Sequence, residues 1–446
     1  MPSPNLSSHF PFSTPSNNCP EQDVWSFVNN AASPSPVQPI VNLGQGFFGY
    51  NLPQFAIDAA KDALNRVDCN QCSPKKGRPV LRQAIARLFS SSWKQPIDAE
   101  TEVVITSGAS EGLLCSFMAF LKPGDEVIVF EPFFDQFISG IELAGGVVRH
   151  VPLCPPDQDT NRLKGPSNWT MDFDALKSAI NNRTRMMVLN TPHNPTGKVF
   201  TQPELQLIGT LCIQHNIIIL SDEVYSQLSY APFTSMASLV PTLYSRTLTV
   251  GSTGKSLHAT GWKIGYLVGP PPLTNAVAAI HTKICYSTAS PLQEAVAIAY
   301  TRAAELGFWE ESRDQMQRKI RCFCEAWDEL GIPYTRPEGG YFVLADLSSV
   351  QIPDTGSFPP WIATRRRDFH LCWFLIREFG VAAIPPSVFY SEGNARLGAN
   401  YLRFAVCKED GLLELAKERL RGLKKYIRAR VEVSVKTFRD VPEGVG

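Results

Sequence analysis

The chain has 446 residues, with 42 basic side chains balanced by 42 acidic ones and a charged fraction of 19%. Its length suits two or three domains at roughly 150 residues each, and its neutral balance leaves no electrostatic footprint for DNA, RNA or an anionic membrane surface. The longest apolar stretch in the middle of the chain, around Leu113 to Leu121, falls far short of the ~20 residues a bilayer-spanning helix needs.

Residues 1–20 hold five Pro and five Ser, too little apolar surface to offset ordering entropy, so residues 1–21 are expected to be a disordered arm. This N-terminus has neither the basic and apolar blocks of a secretory signal nor an Arg-rich amphipathic stretch, which makes the cytoplasm the expected compartment. A Pro-rich patch, Ala32 to Pro39, leads into Val41-Asn42-Leu43-Gly44. Residues 22–50 are assigned to a segment that packs with a small C-terminal domain. Gly44-x-Gly46-x-x-Gly49 satisfies a dinucleotide-binding spacing, but it follows only three apolar residues and runs into Asn51-Leu52-Pro53 rather than directly into a helix, so that reading is set aside. In the helix that follows, Ile57, Ala60 and Leu64 share one face and are expected to turn inward. Eleven cysteines are too sparse for a disulfide scaffold and imply reduced thiols. Cys69-x-x-Cys72 has no second pair at zinc spacing, so no metal is expected there.

From Val103 onward, short apolar runs alternate with amphipathic helices. Val103–Thr106, Val127–Phe130, Met186–Leu189, Ile217–Leu220 and Leu248–Val250 are continuous runs of the kind required by parallel strands buried on both faces. Thr201-x-x-Glu204 forms a capping box with Pro203 in the first turn and Leu205 and Ile208 turned inward. Strand 186–190, helix 201–215 and strand 217–221 thus make one right-handed βαβ unit. Cys154 to Trp169 and Gln351 to Pro360 are long loops. Past residue 300, helices at Trp361 to Phe379 and Glu409 to Tyr426 alternate with short strands at Tyr341 to Ala345 and Tyr401 to Val406. The expected architecture is α/β: a three-layer αβα large domain with a mostly parallel sheet over residues 51–300, and a smaller α+β domain over residues 301–446. The basic run Arg419 to Arg430 reads as a solvated face that complements a helix dipole.

In an open parallel sheet, ligands gather beyond the carboxyl ends of the strands. After Ile105 comes Thr106-Ser107-Gly108-Ala109-Ser110-Glu111-Gly112 and then a helix, a turn whose free N–H groups make a phosphate cradle. After Leu189 comes Asn190-Thr191-Pro192-His193-Asn194-Pro195-Thr196-Gly197, and after Leu220 comes Ser221-Asp222-Glu223-Val224-Tyr225. A carboxylate leaving so apolar a strand needs a partner, either a structural N-cap or a ligand cation. Lys255, in Gly251-Ser252-Thr253-Gly254-Lys255, is placed like a desolvated amine, which becomes a nucleophile toward carbonyls. A phosphate site, a carbonyl-seeking amine and an acid for a ring nitrogen together describe pyridoxal 5'-phosphate.

The ordered series Asn190-x-Pro-x-Asn194-Pro-x-Gly197, Ser221-Asp222-Glu223-Val224-Tyr225, Ser252-x-x-Lys255 and Thr260-Gly261-Trp262-Lys263 resembles the fold type I aminotransferases of class I/II. Asn42-Leu43-Gly44-Gln45-Gly46-Phe47, Glu131-Pro132-Phe133-Phe134-Asp135 and Ser387-Val388-Phe389-Tyr390-Ser391 resemble the kynurenine aminotransferase and glutamine transaminase (cysteine-S-conjugate β-lyase) branch. The resemblance implies that Lys255 holds the cofactor as a Schiff base and then shuttles a proton, that Asp222 keeps the pyridine nitrogen protonated, and that Asn194 and Tyr225 hydrogen-bond the ring's phenolic oxygen. It implies that Ala109, Ser110, Ser252 and Lys263 anchor the phosphate, that Phe134 or its neighbour Phe133 stacks on the ring, and that Arg403, with Gly46 and Asn194, grips the substrate carboxylate. A structural ion pair is the competing reading of Arg403. Trp25 and Tyr286 are candidate walls of the side-chain pocket, or core residues, and Phe47, Phe48 and Tyr50 are further candidate stacking walls. Two positions depart from the family pattern, the second of them, a lysine, also tolerated in the kynurenine branch. Asn70-Gln71-Cys72-Ser73 lacks the tyrosine that reaches the phosphate from the neighbouring subunit, and Lys263 stands where many relatives have arginine.

The expected activity is transfer of an amino group from an aromatic amino acid or kynurenine to a 2-oxo acid by a homodimer. The competing expectations are β-elimination from a cysteine S-conjugate on the same site and, more remotely, a non-catalytic scaffold.

Overall fold

The structure is a computed structural model that describes residues 23–155, 169–353 and 358–427. The expected arm at residues 1–21, most of the 154–169 loop, residues 354–357 of the second loop and the end of the basic run lie outside the described residues.

The apolar runs become the centre of an eight-stranded sheet. Its strands are β2 (Val103–Thr106), β3 (Glu126–Glu131), β4 (Val147–Cys154), β5 (Thr170–Met171), β6 (Thr184–Asn190), β7 (Ile218–Asp222), β8 (Thr247–Ser252) and β9 (Gly265–Val268), after a short β1 (Val41–Asn42) that belongs elsewhere. The order across the sheet is β2-β9-β8-β7-β6-β3-β4-β5. β4, β3, β6, β7 and β8 pair in parallel, while β9 runs antiparallel to both its neighbours and β5 antiparallel to β4. The runs had to be apolar throughout because β2 and β3 are buried along their whole length, with helices on both faces.

The crossover from β6 to β7 is the helix Gln202–Gln214, opened by Thr201, whose hydroxyl accepts from the Glu204 amide while the Glu204 carboxylate accepts from the Thr201 amide. Leu205 and Ile208 on this helix are fully buried and together contribute about 3–6 kcal/mol relative to exposure. The helix Gln54–Leu64 departs from expectation. Its buried face is Ala56, Ala59 and Ala63, and Leu64 is exposed. Alanines on that face let this helix approach the helix Ser290–Glu305 closely, so backbone proximity, not side-chain bulk, decided which face turned inward.

The second layer of structure is built around β10 (Tyr334–Thr335), β11 (Phe342–Asp346) and β13 (Tyr401–Ala405), an antiparallel sheet in the order β10-β11-β13, while β12 (Val381–Ala382) pairs in parallel with β1. One apolar cluster joins Phe27, Val28, Val41 and Leu43 to Phe323, Trp327, Phe404 and Leu420. The N-terminal segment is thereby bound to the C-terminal residues, which brings Trp25 and Gly46 beside Arg403 on β13. At the chain's basic end, Arg419 donates to the Pro39 carbonyl and Arg421 forms a two-pronged pair with Glu329. These two arginines tie elements together as well as meeting solvent. Among the described residues no helix is long and apolar enough to cross a membrane.

Candidate active site

β6, β7 and β8 lie side by side, and their carboxyl ends deliver Asn190, Asp222 and Ser252 to one rim of the sheet. The turn after β2 delivers the N-terminus of the helix Gly108–Phe120 to the same rim. These groups surround a cavity of about 280 Å³ whose lining includes Lys255, Asp222, Tyr225, Asn194 and Arg403. Gly46, Ala109, Ser110, Phe134, Ser252, Lys263 and Trp25 line it as well. Tyr286, expected as a wall of the side-chain pocket, is not part of this lining. Its ring is 58% exposed.

The cradle at Gly108–Ser110 is held down by β9. A Cβ on Gly265 would sit 2.4 Å from the Gly108 carbonyl carbon and 2.5 Å from the Ala109 nitrogen, so only glycine lets the strand press this close. The first-turn N–H groups of the helix have no intrahelical acceptor and face the cavity with the helix dipole behind them. Behind the cradle, Glu111 accepts from the Ser107 amide at 3.0 Å and pairs with His281 Nδ1 at 3.0 Å, and Cys285 Sγ lies 3.4 Å from the same nitrogen. This ligand-type cluster was not legible from spacing, and its oxygen, nitrogen and sulfur atoms already answer one another. Cys69 and Cys72 are both free thiols, the second exposed and outside the cavity lining.

Asp222 is buried and accepts one hydrogen bond, from the Val224 amide at 3.3 Å. No ion pair reaches it among the described residues. Burial pushes its carboxyl up to about 7 against a weaker pull from Lys255. The N-cap reading therefore gives way to an acid that faces the cavity short of a partner. Next to it, Glu223 turns to the other side, where Ser221, Ser235 and the Met236 amide satisfy it.

Lys255 follows β8 in the short helix Thr253–Ser256. Its Nζ donates to Tyr341 Oη at 3.0 Å and lies 5.6 Å from the centroids of the Tyr225 and Tyr341 rings. Burial lowers its amine to about 8. Arg403 is buried with no carboxylate in contact among the described residues, which leaves the structural ion pair without a partner there. Nη1 donates to Asn194 Oδ1 at 3.1 Å, Nη2 to the Gly44 carbonyl at 3.0 Å, and Nε has no partner among the described residues. Because a guanidinium only donates, the Asn194 oxygen must face it, and the Asn194 amide NH₂ is the group left for a ligand. The guanidinium lies 4.3 Å from the Phe342 ring centroid, 5.0 Å from Phe389 and 6.0 Å from Trp25, and burial lowers its proton affinity to about 10.

Several expected walls moved. Phe134 lines the cavity, whereas Phe133 is buried with its amide on the Phe389 carbonyl. Phe47 is half exposed under the Lys408 ammonium, Phe48 packs on His258 and Tyr341, and Tyr50 meets Phe48 and His258. None of the three lines the cavity. Phe342, Asn190 and Val224 do line it, and Tyr341 reaches Lys255. Asn190 was within reach of the sequence, at the end of its strand. Phe342 and Tyr341 come from the other side of the molecule, and only the Gly339-Gly340 pair before them marked a turn.

The sequence model of the family described as aminotransferase class I and II matches residues 38–418. The chain is 46% identical over 414 residues to the probable kynurenine–oxoglutarate transaminase BNA3 of Saccharomyces cerevisiae, covering 91% of this chain and 93% of that protein. It is 34% identical over 395 residues to human kynurenine–oxoglutarate transaminase 1, covering 86% and 92%. Among solved structures it is similar to Bna3p, described as a putative kynurenine aminotransferase from Saccharomyces cerevisiae, with a TM-score of 0.91 at 45% identity over 93% of this chain and 99% of that one. It is also similar to YbdL of Escherichia coli, described as having a methionine aminotransferase function, with a TM-score of 0.81 at 29% identity over 93% and 99%.

Proposed function

Since the chain belongs to the class I and II aminotransferases and is a transaminase dependent on pyridoxal 5'-phosphate, we propose that its amino donor is an aromatic amino acid or kynurenine and its acceptor a 2-oxo acid. The observation that carries this reading is the pairing of one buried, carboxylate-free arginine, Arg403, with aromatic walls at Trp25, Phe134, Tyr225 and Phe342 around Lys255 and Asp222. A cavity of that kind fits a single carboxylate and a flat apolar side chain.

The residues present fit the cofactor. Asp222 is a buried acid short of a partner, suited to a ring N–H; Asn194 and Tyr225 offer donors for a phenolate oxygen; the Ala109 and Ser110 amides, Ser252 and Lys263 form an anion site; and Lys255 is the amine for the aldehyde. When bound, the cofactor supplies an aldehyde that takes up the amino group and a cationic ring that absorbs the electrons left when the Cα–H bond breaks. Lys255, with its amine lowered to about 8, is about a tenth neutral at pH 7, roughly 300-fold more than an ordinary lysine. With the cofactor bound, that neutral amine would be the group that bonds its aldehyde and, once released, the base for the Cα proton and the acid that gives a proton to the former aldehyde carbon on the far side of the nitrogen. Asp222 would keep the ring nitrogen protonated by acting as its counter-ion. Arg403 fixes the carboxylate, and with it the direction of the Cα–H bond, while Trp25, Phe134 and Phe342 exclude water.

The same reading includes a homodimer and a cytoplasmic location. The dimer is supported by unpartnered apolar side chains such as Val67, 79% exposed, and Tyr286. The location is supported by ten described cysteines that are all free thiols. A donor panel with one generous oxo-acid acceptor tests the substrate class. Aromatic amino acids and kynurenine are expected to outpace aspartate and glutamate by at least tenfold. Equal or faster turnover of the dicarboxylic donors overturns the aromatic assignment, and pyruvate and ammonia from a cysteine S-conjugate without any oxo acid overturn the transferase one.

A further inference from the structure

We infer that the Tyr341 hydroxyl is the docking point of the Lys255 amine whenever that amine is not bonded to the cofactor, and that Tyr341 is thereby a positioning residue for the proton-transfer step. The inference rests on the reading of Lys255 as the cofactor's amine.

Tyr341 is fixed from several directions. Its side chain is fully buried, with its ring edge-on to Tyr225 at 5.4 Å and to Phe48 at 5.3 Å. It is presented by Gly340, whose φ of +73° is a left-handed conformation that a side chain would strain, and whose carbonyl accepts from Tyr230 Oη at 2.5 Å. The hydroxyl hydrogen is already committed, because Oη donates to the Gly46 carbonyl at 2.8 Å, with the Tyr225 hydroxyl as its other hydrogen-bond acceptor. What remains on Oη are lone pairs, so toward Lys255 at 3.0 Å it can only accept. The bond therefore favours the ammonium over the neutral amine. The other titratable or charged groups acting on Lys255 are Cys407, Arg403, Asp222 and Lys263, with Tyr225 ring-on, and none of them donates to or accepts from Nζ in the structure.

Two consequences follow. A released amine on a four-carbon stem would otherwise sample many rotamers; docked on Tyr341 it has one, between the Tyr225 ring and the Gly46 segment. Tyr341 also couples two parts of the site, since the same hydroxyl that receives Lys255 holds the Gly46 peptide that lines the substrate's end of the cavity. The amine returns to the same point after each proton transfer without a search.

The test is Tyr341→Phe, which keeps the ring in its slot. In the apoprotein, the pH dependence of reductive methylation at Lys255, read by peptide mass spectrometry, is expected to shift to lower pH by about one to two units, a tenfold to hundredfold change in proton affinity for the loss of one charge-assisted hydrogen bond. In the loaded enzyme, the half-reaction is expected to slow with a larger isotope effect for Cα-deuterated donor and a KM changed by less than about threefold. An unchanged midpoint with an unchanged isotope effect overturns the inference even if activity falls. A second reading needs no substitution: in crystals of the wild-type enzyme converted by donor to its amino form, Lys255 Nζ is expected within hydrogen-bonding distance of Tyr341 Oη, and Nζ turned to another acceptor refutes the docking point. Borohydride fixation on wild-type Lys255 is the separate control, because its failure would remove the reading of Lys255 itself rather than the role of Tyr341.

Discussion

Replacing Asp222 with asparagine isolates the energetic cost of keeping an acid at the end of β7 without a partner. Burial raises the carboxyl from 3.8 to about 7 in the folded apoprotein. A carboxyl that is the weaker acid when folded leaves the unfolded chain binding fewer protons between those two values. Its contribution to stability is then complete below pH 4 and drains away as pH climbs to about 7. Between pH 5 and pH 8 this amounts to on the order of 3 kcal/mol, from two pH units at about 1.4 kcal/mol each. Asparagine does not titrate. The wild-type apoprotein should therefore lose about 3 kcal/mol more than Asp222→Asn over that interval, in urea unfolding at fixed protein concentration. Glu223, also pushed up to about 7 by burial, titrates in both proteins and largely cancels in the difference. With cofactor bound, a protonated ring nitrogen beside Asp222 should abolish the excess pH slope in the wild type and leave the variant unaffected. Parallel stability curves for the two apoproteins from pH 5 to pH 8 would refute the claim that Asp222 is buried without a counter-ion.

Three further outcomes follow from the same geometry. Arg403→Lys replaces a planar fork with a point charge, so KM for the amino donor should rise about 10- to 100-fold while the absorbance of the bound cofactor stays the same; a matching loss of cofactor would show that Arg403 supports the fold instead. Lys255 in the apoprotein should react with carbonyl reagents at a rate that climbs with pH to a plateau above about 8, where its amine has lost its proton, and a midpoint near that of a surface lysine would contradict its burial. Cys72→Tyr should slow cofactor loss on dialysis about tenfold or more. Because Cys72 is exposed and outside this chain's own cavity, that effect requires a partner subunit, and unchanged retention would show that this position does not face a phosphate.

The sequence made the sheet legible because its strands are buried on both faces, which forces runs such as Val103–Thr106 to be apolar from end to end. The groups at the strand ends, Asn194, Asp222, Ser252 and Lys255, were legible for the same reason, since a polar residue directly after such a run has one rim to occupy. Face assignments within a single helix were less secure. Alanine scores as weakly apolar, so Ile57 and Leu64 outweighed Ala56, Ala59 and Ala63, yet close helix packing selected the alanines. The aromatic walls were legible only in part. Trp25 reaches the cavity, but Phe47, Phe48 and Tyr50 follow a turn whose direction depends on contacts with Tyr341 and Lys408, more than 290 residues away. Tyr341 itself carries no local pattern that points to Lys255. Its role comes from two glycines and a long-range packing arrangement that periodicity does not encode.

The central claim is that Lys255 is the amine that bonds the cofactor. Reducing the loaded protein with borohydride and mapping the pyridoxyl group by peptide mass spectrometry tests it directly. The account predicts a single stable modification on the peptide carrying Lys255, abolished in Lys255→Ala. Label on Lys263 or on a surface lysine, or no label on a protein that has taken up cofactor, would contradict it.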